Sequence, residues 1–211
     1  SMKTSALKML AMTTMVALTL TACQERVAPP AKIEATDPPI AVVGGTEYAI
    51  VTDDSVLSFT GTKVSGTHSG GWSDFSGKVV VPEGDFAKAS LVIDINVESM
   101  YSDDTDLTDT MKGEKMFDSA NFPDAKFEAT SITAVEGKTG LYSVVGNLTL
   151  HGVTSGVKFN AKVKLTEKKL TAEAEFNMNR KDWDINFDGL VGDLIHDNVA
   201  MTFYIEAKVA E

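Results

Sequence analysis

The sequence predicts an all-β, antiparallel protein with one short helical insertion, and three observations carry that prediction. Run after run alternates apolar and polar residues with period two, the spacing of a strand with one buried and one wet face. Clusters rich in Gly, Pro, Asp and Lys cut those runs at short intervals, as turns require. One stretch alone changes to helical spacing.

Taken in order, short runs near residues 48–51, 55–60 and 76–81 open the series, and Pro82-Glu83-Gly84-Asp85 turns the chain. Leu91, Ile93, Ile95 and Val97 then alternate with Val92, Asp94, Asn96 and Glu98. The exception follows. From Asp103 to Phe117, Leu107, Met111, Met116 and Phe117 recur at irregular helical spacing, with acids leading and Lys112 and Lys115 trailing, the polarity a helix dipole favours. Strand character returns at 125–133 and, after Glu136-Gly137-Lys138, in Tyr142, Val144, Gly146, Leu148 and Leu150. A turn over Gly152-Val153-Thr154-Ser155-Gly156 leads to Val157, Phe159, Ala161, Val163 and Leu165. Past Glu167-Lys168-Lys169 come Leu170, Ala172, Ala174, Phe176 and Met178, and finally Val199, Met201, Phe203, Ile205, Ala207 and Val209. About eight strands with one apolar face each must close into a barrel or stack as a sandwich, and alternation fits both.

The chain has 211 residues, of which 43% are hydrophobic and 23% charged, a mixture that excludes wholesale disorder and a polytopic membrane protein. Thirty acids against 19 bases give a net charge of −11, with no basic run to displace counterions from phosphates, so nucleic acid is excluded as the expected partner. The single cysteine, Cys23, rules out an internal disulfide and a multi-cysteine metal site.

That cysteine sits in an informative place. Lys3 and Lys8 precede the apolar run 9–20, and Leu20-Thr21-Ala22 leads directly into Cys23. A positive start, a short apolar core and small residues at a cleavage point read as a secretory signal over 1–22. Leu-x-Ala-Cys is similar to the bacterial lipobox, whose thiol is acylated and becomes the new N-terminus. Acyl chains on Cys23 would anchor the protein stably where a single chain would not. Gln24 follows, not the Asp that resembles an inner-membrane retention signal, which points to the outer membrane of a bacterial envelope and a periplasmic lipoprotein. Removing residues 1–22 takes away two lysines and no acid, so the remaining chain carries about −13. Four of the six prolines (Pro29, Pro30, Pro38, Pro39) fall in residues 23–45, which read as a flexible tether. The folded domain is expected over 46–211.

Several segments together resemble the YceI-like family of lipocalin-like periplasmic barrels. They are 55–63 with Gly71-Trp72-Ser73-Asp74-Phe75-Ser76-Gly77, and 115–132, which carries Met116-Phe117-Asp118, Phe122-Pro123 and Phe127. The most specific is Gly146-Asn147-Leu148-Thr149-Leu150-His151-Gly152-Val153-Thr154, and Asn179-Arg180-Lys181-Asp182-Trp183-Asp184-Ile185 with 193–199 completes the set. The segments occur in the family's order over 48–209, with one departure: Asp184 stands where the family usually has Gly. The resemblance implies an eight-stranded antiparallel barrel that holds a long isoprenoid or other lipid tail in its lumen, with no covalent cofactor.

The inward residues allow two readings. Ala129, Gly146, Ala161, Ala172, Ala174 and Ala207 are small and leave volume, and an apolar void stays dry or takes an apolar guest. Equally, Phe59, Phe75, Phe127, Phe159, Phe176 and Phe203 are bulky enough to close it. With the resemblance added, the expected cavity wall is those six phenylalanines together with Ile93, Ile95, Leu148, Ala161, Ala172, Ala174, Met178, Arg180 and Trp183. Arg180 continues the inward phase of Phe176 and Met178 to a strand end, where it either pairs with an acid, Asp182 or Asp197, or meets a polar head group.

Other motifs point nowhere. His68, His151 and His196 match no metal spacing, with His68 expected in a Gly-rich turn. The acids from Asp103 to Asp109 lack the oxygen ligand and Gly of a calcium loop. No nucleophile elbow, phosphate loop or dinucleotide fingerprint occurs, and Asn147-Leu148-Thr149 is a sequon in form only. Three functions therefore stand: a tethered binding protein for an isoprenoid-type lipid such as a quinone or polyprenyl compound, an enzyme acting on such a lipid with a His and an Asp at the cavity mouth, and a structural lipoprotein with a solid core. Oligomeric state is left open.

Overall fold

The computed structural model describes residues 32–35 and 38–210. The expected signal at 1–22, Cys23 and the first part of the tether lie outside the described residues.

Twelve strand segments follow one another: β1 (Thr46–Ile50), β2 (Val56–Lys63), β3 (Gly66–Trp72), β4 (Phe75–Val81), β5 (Ser90–Asn96), β6 (Met100–Ser102), then helix α1 (Thr105–Lys112), β7 (Asp124–Ala134), β8 (Leu141–Leu150), β9 (Val153–Leu165), β10 (Lys169–Asn179), β11 (Gly189–Leu190) and β12 (Asp193–Val209). Six of them are halves of three broken strands. β1 and β2 both lie along β12, β4 pairs with β1 while β3 pairs with β2, and β5 and β6 continue that division. The molecule is thus a meander of eight staves, each antiparallel to the next, and β12 closes it on the first. Closure pairs the ladder groups that an open sheet would leave bare at its edges.

The inward phase follows the alternation. Val157, Phe159, Ala161 and Val163 of β9 are buried while Lys158, Asn160 and Lys164 are exposed. In β7 the buried set passes from Ala125, Phe127 and Ala129 to Ile132, a change of phase that falls where the β7–β8 register slips between Ala129 and Ser131. A bulge moves every later side chain to the other face, so Ile132 stays inside despite its odd spacing. At the β8–β9 turn His151 and Gly152 both take positive φ (52° and 72°), the two-residue geometry that matches strand twist.

The three breaks lie side by side and form a polar crease across one wall. Thr52 Oγ1 donates to Phe75 O (2.6 Å), the Asn96 amide to Asp74 O (3.0 Å) and the Asp74 amide to Ser99 Oγ (3.0 Å). The side-chain oxygens of Thr52 and Ser99 take over there, where ladder bonds stop.

One end of the barrel is packed solid. The turns between β4 and β5 drive Phe86 inward against Tyr142 (ring centroids 4.9 Å), over fully buried Val81, Ala89, Leu170 and Ala207. Tyr48 hydroxyl donates to Thr166 O (2.8 Å) and ties β1 to the turn between β9 and β10.

Three expectations need correction. The helix is shorter than 103–117: Asp104 caps it by accepting from the Leu107 amide (2.9 Å), and Gly113 ends it in an extended conformation, so Met116 and Phe117 reach the core from the turns that follow. His68 lies on β3 opposite Gly61, because the glycines around it are strand positions pressed against neighbours: a Cβ on Gly70 would come 2.1 Å from Tyr101 O. The tether is not free along its whole described length. Ile33 pairs with Gly156, whose amide donates to Ile33 O (2.8 Å), and the Ile40 amide donates to Ala129 O (3.0 Å). Gly156 permits this because a Cβ there would sit 2.6 Å from Glu34 O.

Candidate functional site

Between the solid end and the opposite mouth the barrel is not filled. A cavity of about 210 Å³ runs along its axis. Its wall is apolar from Val79, Phe86 and Leu170 at the closed end through the middle of the barrel. The polar side chains on it, Thr62, Lys63, His68 and Arg180, gather at the mouth.

Of the expected residues, Phe59, Ile93, Ile95, Phe127, Leu148, Phe159, Ala161, Ala172, Phe176, Met178, Arg180 and Phe203 line this space. Phe75, Ala174 and Trp183 do not. Phe75 is buried beside the crease, outside the main core cluster. Ala174 shares the inward phase but is enclosed opposite Phe203. Trp183 is fully buried in the turn after β10, where its Nε1 donates to Leu148 O (2.8 Å) and its carbonyl lies 3.1 Å from His151 Nδ1. It ties that turn to β8 and does not cover a ligand ring.

The two readings of the inward residues are each right in part. Rings do occupy some of the room: a Cβ on Gly146 would lie 2.4 Å from the Phe127 ring, and Phe159 stacks on Phe176 (4.8 Å) with Phe203 at its edge. Ala125, Ala161 and Ala172 nevertheless border open space, and at the mouth a Cβ on Gly61 would meet nothing within 4 Å. Alternation does not reveal that Leu107, Met111, Met116 and Phe117 also reach the cavity, since helical spacing shows a face but not the wall it meets. Trp72, at the end of β3, lines it as well, packed edge-on to Phe59 (5.5 Å).

The mouth is held by ion pairs. Arg180, only 4% exposed, pairs with Asp197 (3.3 Å), one of the two acids expected, and with Asp188 (3.5 Å), and not with Asp182. Its Nε donates to His196 O (3.2 Å), and other donors reach Ile185 O and Ile195 O. The guanidinium is consumed in pinning the loop after β10 to the start of β12, which leaves it little to offer a head group. Lys181 bridges the same acids at 3.1 Å, and the hydrogen bonds it donates to Asp197 and Asp188 hold its pKa above the ordinary lysine value. Burial pushes the Asp182 carboxyl up. Across the mouth His68 Nδ1 lies 2.9 Å from Asp103 Oδ1, and the Ser69 amide, then His68, hold Asp103 below the usual carboxylate range. The three histidines lie on β3, in the β8–β9 turn and on β12, and no metal-ligand cluster forms among the described residues. Asp184 takes φ 56°, so the position where the family usually has Gly is a left-handed one, which Asp tolerates better than most residues.

The likenesses to known proteins follow the same outline. Over 128 residues the chain is 31% identical to a UPF0312 protein of Yersinia pestis, covering 56% of this chain and 64% of that protein, and over 92 residues it is 30% identical to a UPF0312 protein of Pseudomonas putida, covering 44% and 47%. The chain thus spans just under two thirds of the length of the curated relatives it first matches. Among solved structures, BcnA of Burkholderia cenocepacia superposes with a TM-score of 0.66 at 21% identity over 74% of this chain and 98% of its own. A polyisoprenoid binding domain from Saccharophagus degradans gives 0.61 at 16% identity over 77% and 98%. Those two share the fold. The model of the YceI-like domain matches residues 48–207, and the chain belongs to the YceI-like family.

Proposed function

We propose that this protein binds an isoprenoid-type lipid, a quinone or polyprenyl compound, in the barrel cavity and holds it for transport or storage in the bacterial envelope, tethered through acylated Cys23 and without chemistry of its own. The observation that carries the reading is the axial cavity, apolar along its length with its polar side chains at one end. A long lipid has that same division. The Saccharophagus degradans domain, a polyisoprenoid binder of the same fold, supports the choice of lipid class. Small-residue positions such as Ala161 and Ala172 leave room for a slim chain, and an apolar void of this kind favours an apolar guest over water.

Mass spectrometry of lipid extracted from the purified full chain tests this, and an isoprenoid compound at near-stoichiometric amount is the expected result. Protein that carries no lipid and takes none up from detergent refutes it. One observation favours a second reading: His68 and Asp103 pair at the mouth, the arrangement an acid–base enzyme would use. Incubating the extracted lipid with the protein decides between them, since only an enzyme yields a new compound. For the anchor, Cys23→Ser is expected to release the protein from membranes or leave it as uncleaved precursor. Unchanged fractionation refutes the tether.

A further inference from the structure

Most exposed large apolar side chains are scattered, but three share one place. Val64 at the β2–β3 tip is 68% exposed, Leu194 at the start of β12 is 54% exposed, and Val191 between β11 and β12 is fully exposed. The two tips form one unit. The Val64 amide donates to Leu194 O (3.2 Å), and Ser65 donates to Asp193 through its amide (2.8 Å) and its hydroxyl (2.9 Å). Lys63 Nζ lies 3.1 Å from the same carboxylate, so the charges of the tip cancel. The unit stands beside the opening, because Lys63 and Ile195, the neighbours of Val64 and Leu194, line the cavity.

The N-terminal segment arrives at this end too. Ile33 O accepts from Gly156, three residues from the start of β9, and from Ser155 Oγ (3.2 Å). Lys32 and Glu34 lie near enough to Asp182, in the turn that follows Arg180, to act on its charge. Nine residues separate Ile33 from Cys23, a leash of at most about 35 Å when fully extended. A leash that starts at the mouth end lets the mouth meet a membrane without passing around the barrel.

We infer that Val64, Val191 and Leu194 form a rim that docks the mouth on a zwitterionic lipid bilayer, so that an apolar ligand moves between membrane and barrel without crossing water. The inference rests on the lipid-binding reading above. A barrel that carries lipid must take it from a bilayer, and every methylene exposed to water on the way raises the barrier. The rim removes that exposure at the one end where the cavity opens. Asp103, whose carboxylate accepts from the Ser69 amide of β3, and Asp104, Asp106 and Asp109 after it put four acids beside the strand that carries the rim, and they disfavour an anionic surface, which is why the bilayer is a neutral one.

The test uses the full chain and radiolabelled octaprenol as probe, offered either in phosphatidylcholine–phosphatidylethanolamine vesicles or in detergent micelles. The variant is Val64→Ser with Val191→Ser and Leu194→Ser. Transfer from vesicles is expected to slow at least tenfold, with Tm and loading from detergent unchanged, and added anionic lipid should slow the wild type. Equal vesicle transfer in variant and wild type, with normal detergent loading, overturns the rim alone. Failure of the wild type to load even from detergent overturns the lipid-binding reading beneath it. A wild-type dimer that the variant disperses gives the rim to a second copy and overturns bilayer docking.

Discussion

The walls built by residues 124–209 and by residues 46–102 belong to one barrel but are made differently. From β7 to β10 each stave is a single strand of ten to thirteen residues, and its inward phase changes only at the Thr130 bulge. From β1 to β6 each stave is broken, and the breaks align in a crease tied by Thr52, Asp74, Asn96 and Ser99. The unbroken wall supplies most of the slim cavity surface. The broken one bends, carries α1 and the turns after it, and rises as the β2–β3 tip beside the mouth. The difference teaches that the lumen is shaped by continuous strands and the opening by interruptions in them.

The largest effect is expected at the mouth, where Arg180 pins the loop after β10 to the start of β12. Arg180→Met removes a buried cation and takes a donor from each of the carbonyls of Ile185, Ile195 and His196. Loss of about 3 kcal/mol of apo stability in urea unfolding is the expected outcome, since each orphaned buried acceptor costs ~1–3 kcal/mol. Apo stability close to wild type would show that the clamp is not structural.

Next comes a test inside the unbroken wall. Ala174 is enclosed and Ala172 borders the cavity, two residues apart on one strand. Ala174→Phe overpacks and should cost ~1–3 kcal/mol, whereas Ala172→Phe should cost less than about 1 kcal/mol while blocking lipid loading. Equal losses of stability for both would mean that the lumen is solid at that level.

A smaller effect belongs to the crease. Ser99 Oγ donates to Asn96 O (2.7 Å) and accepts from the Asp74 amide, so Ser99→Ala should cost about 1 kcal/mol. Thermal unfolding of Ser99→Ala that matches wild type would mean water replaces those bonds freely.

The smallest is acid sensitivity at the mouth. The Ser65 amide, then Lys63, hold Asp193 below its ordinary 3.8, and the Ser69 amide does the same for Asp103. A lowered carboxylate stabilises the fold above that ordinary value and loses its contribution as pH falls through the lower folded value. Amide resonances of Ser65 and Ser69 should therefore shift below about pH 4, ahead of those in β8 and β9. Simultaneous change in both walls would dissolve the distinction between them.

Much of this was legible in the residues. Alternation from Tyr142 to Leu150, Val157 to Leu165, Leu170 to Met178 and Val199 to Ala207 determined which side chains face inward, because a strand has only two faces and water separates them, whereas Val209, expected inward by the same phase, is exposed at the strand end. Asp104, Leu107 and Met111 announced a helix because that choice is local, whereas the turn expected over 152–156 is a tight one at His151-Gly152, with Val153 to Gly156 already in β9. What only the tertiary structure decided is how inward side chains share the lumen. Ala172 borders space and Ala174 does not, Phe127 fills the gap at Gly146, and Arg180 spends its donors on Asp188, Asp197 and three carbonyls and not on Asp182. Such outcomes depend on which strands closure brings opposite one another, and period two carries no information about register across the barrel.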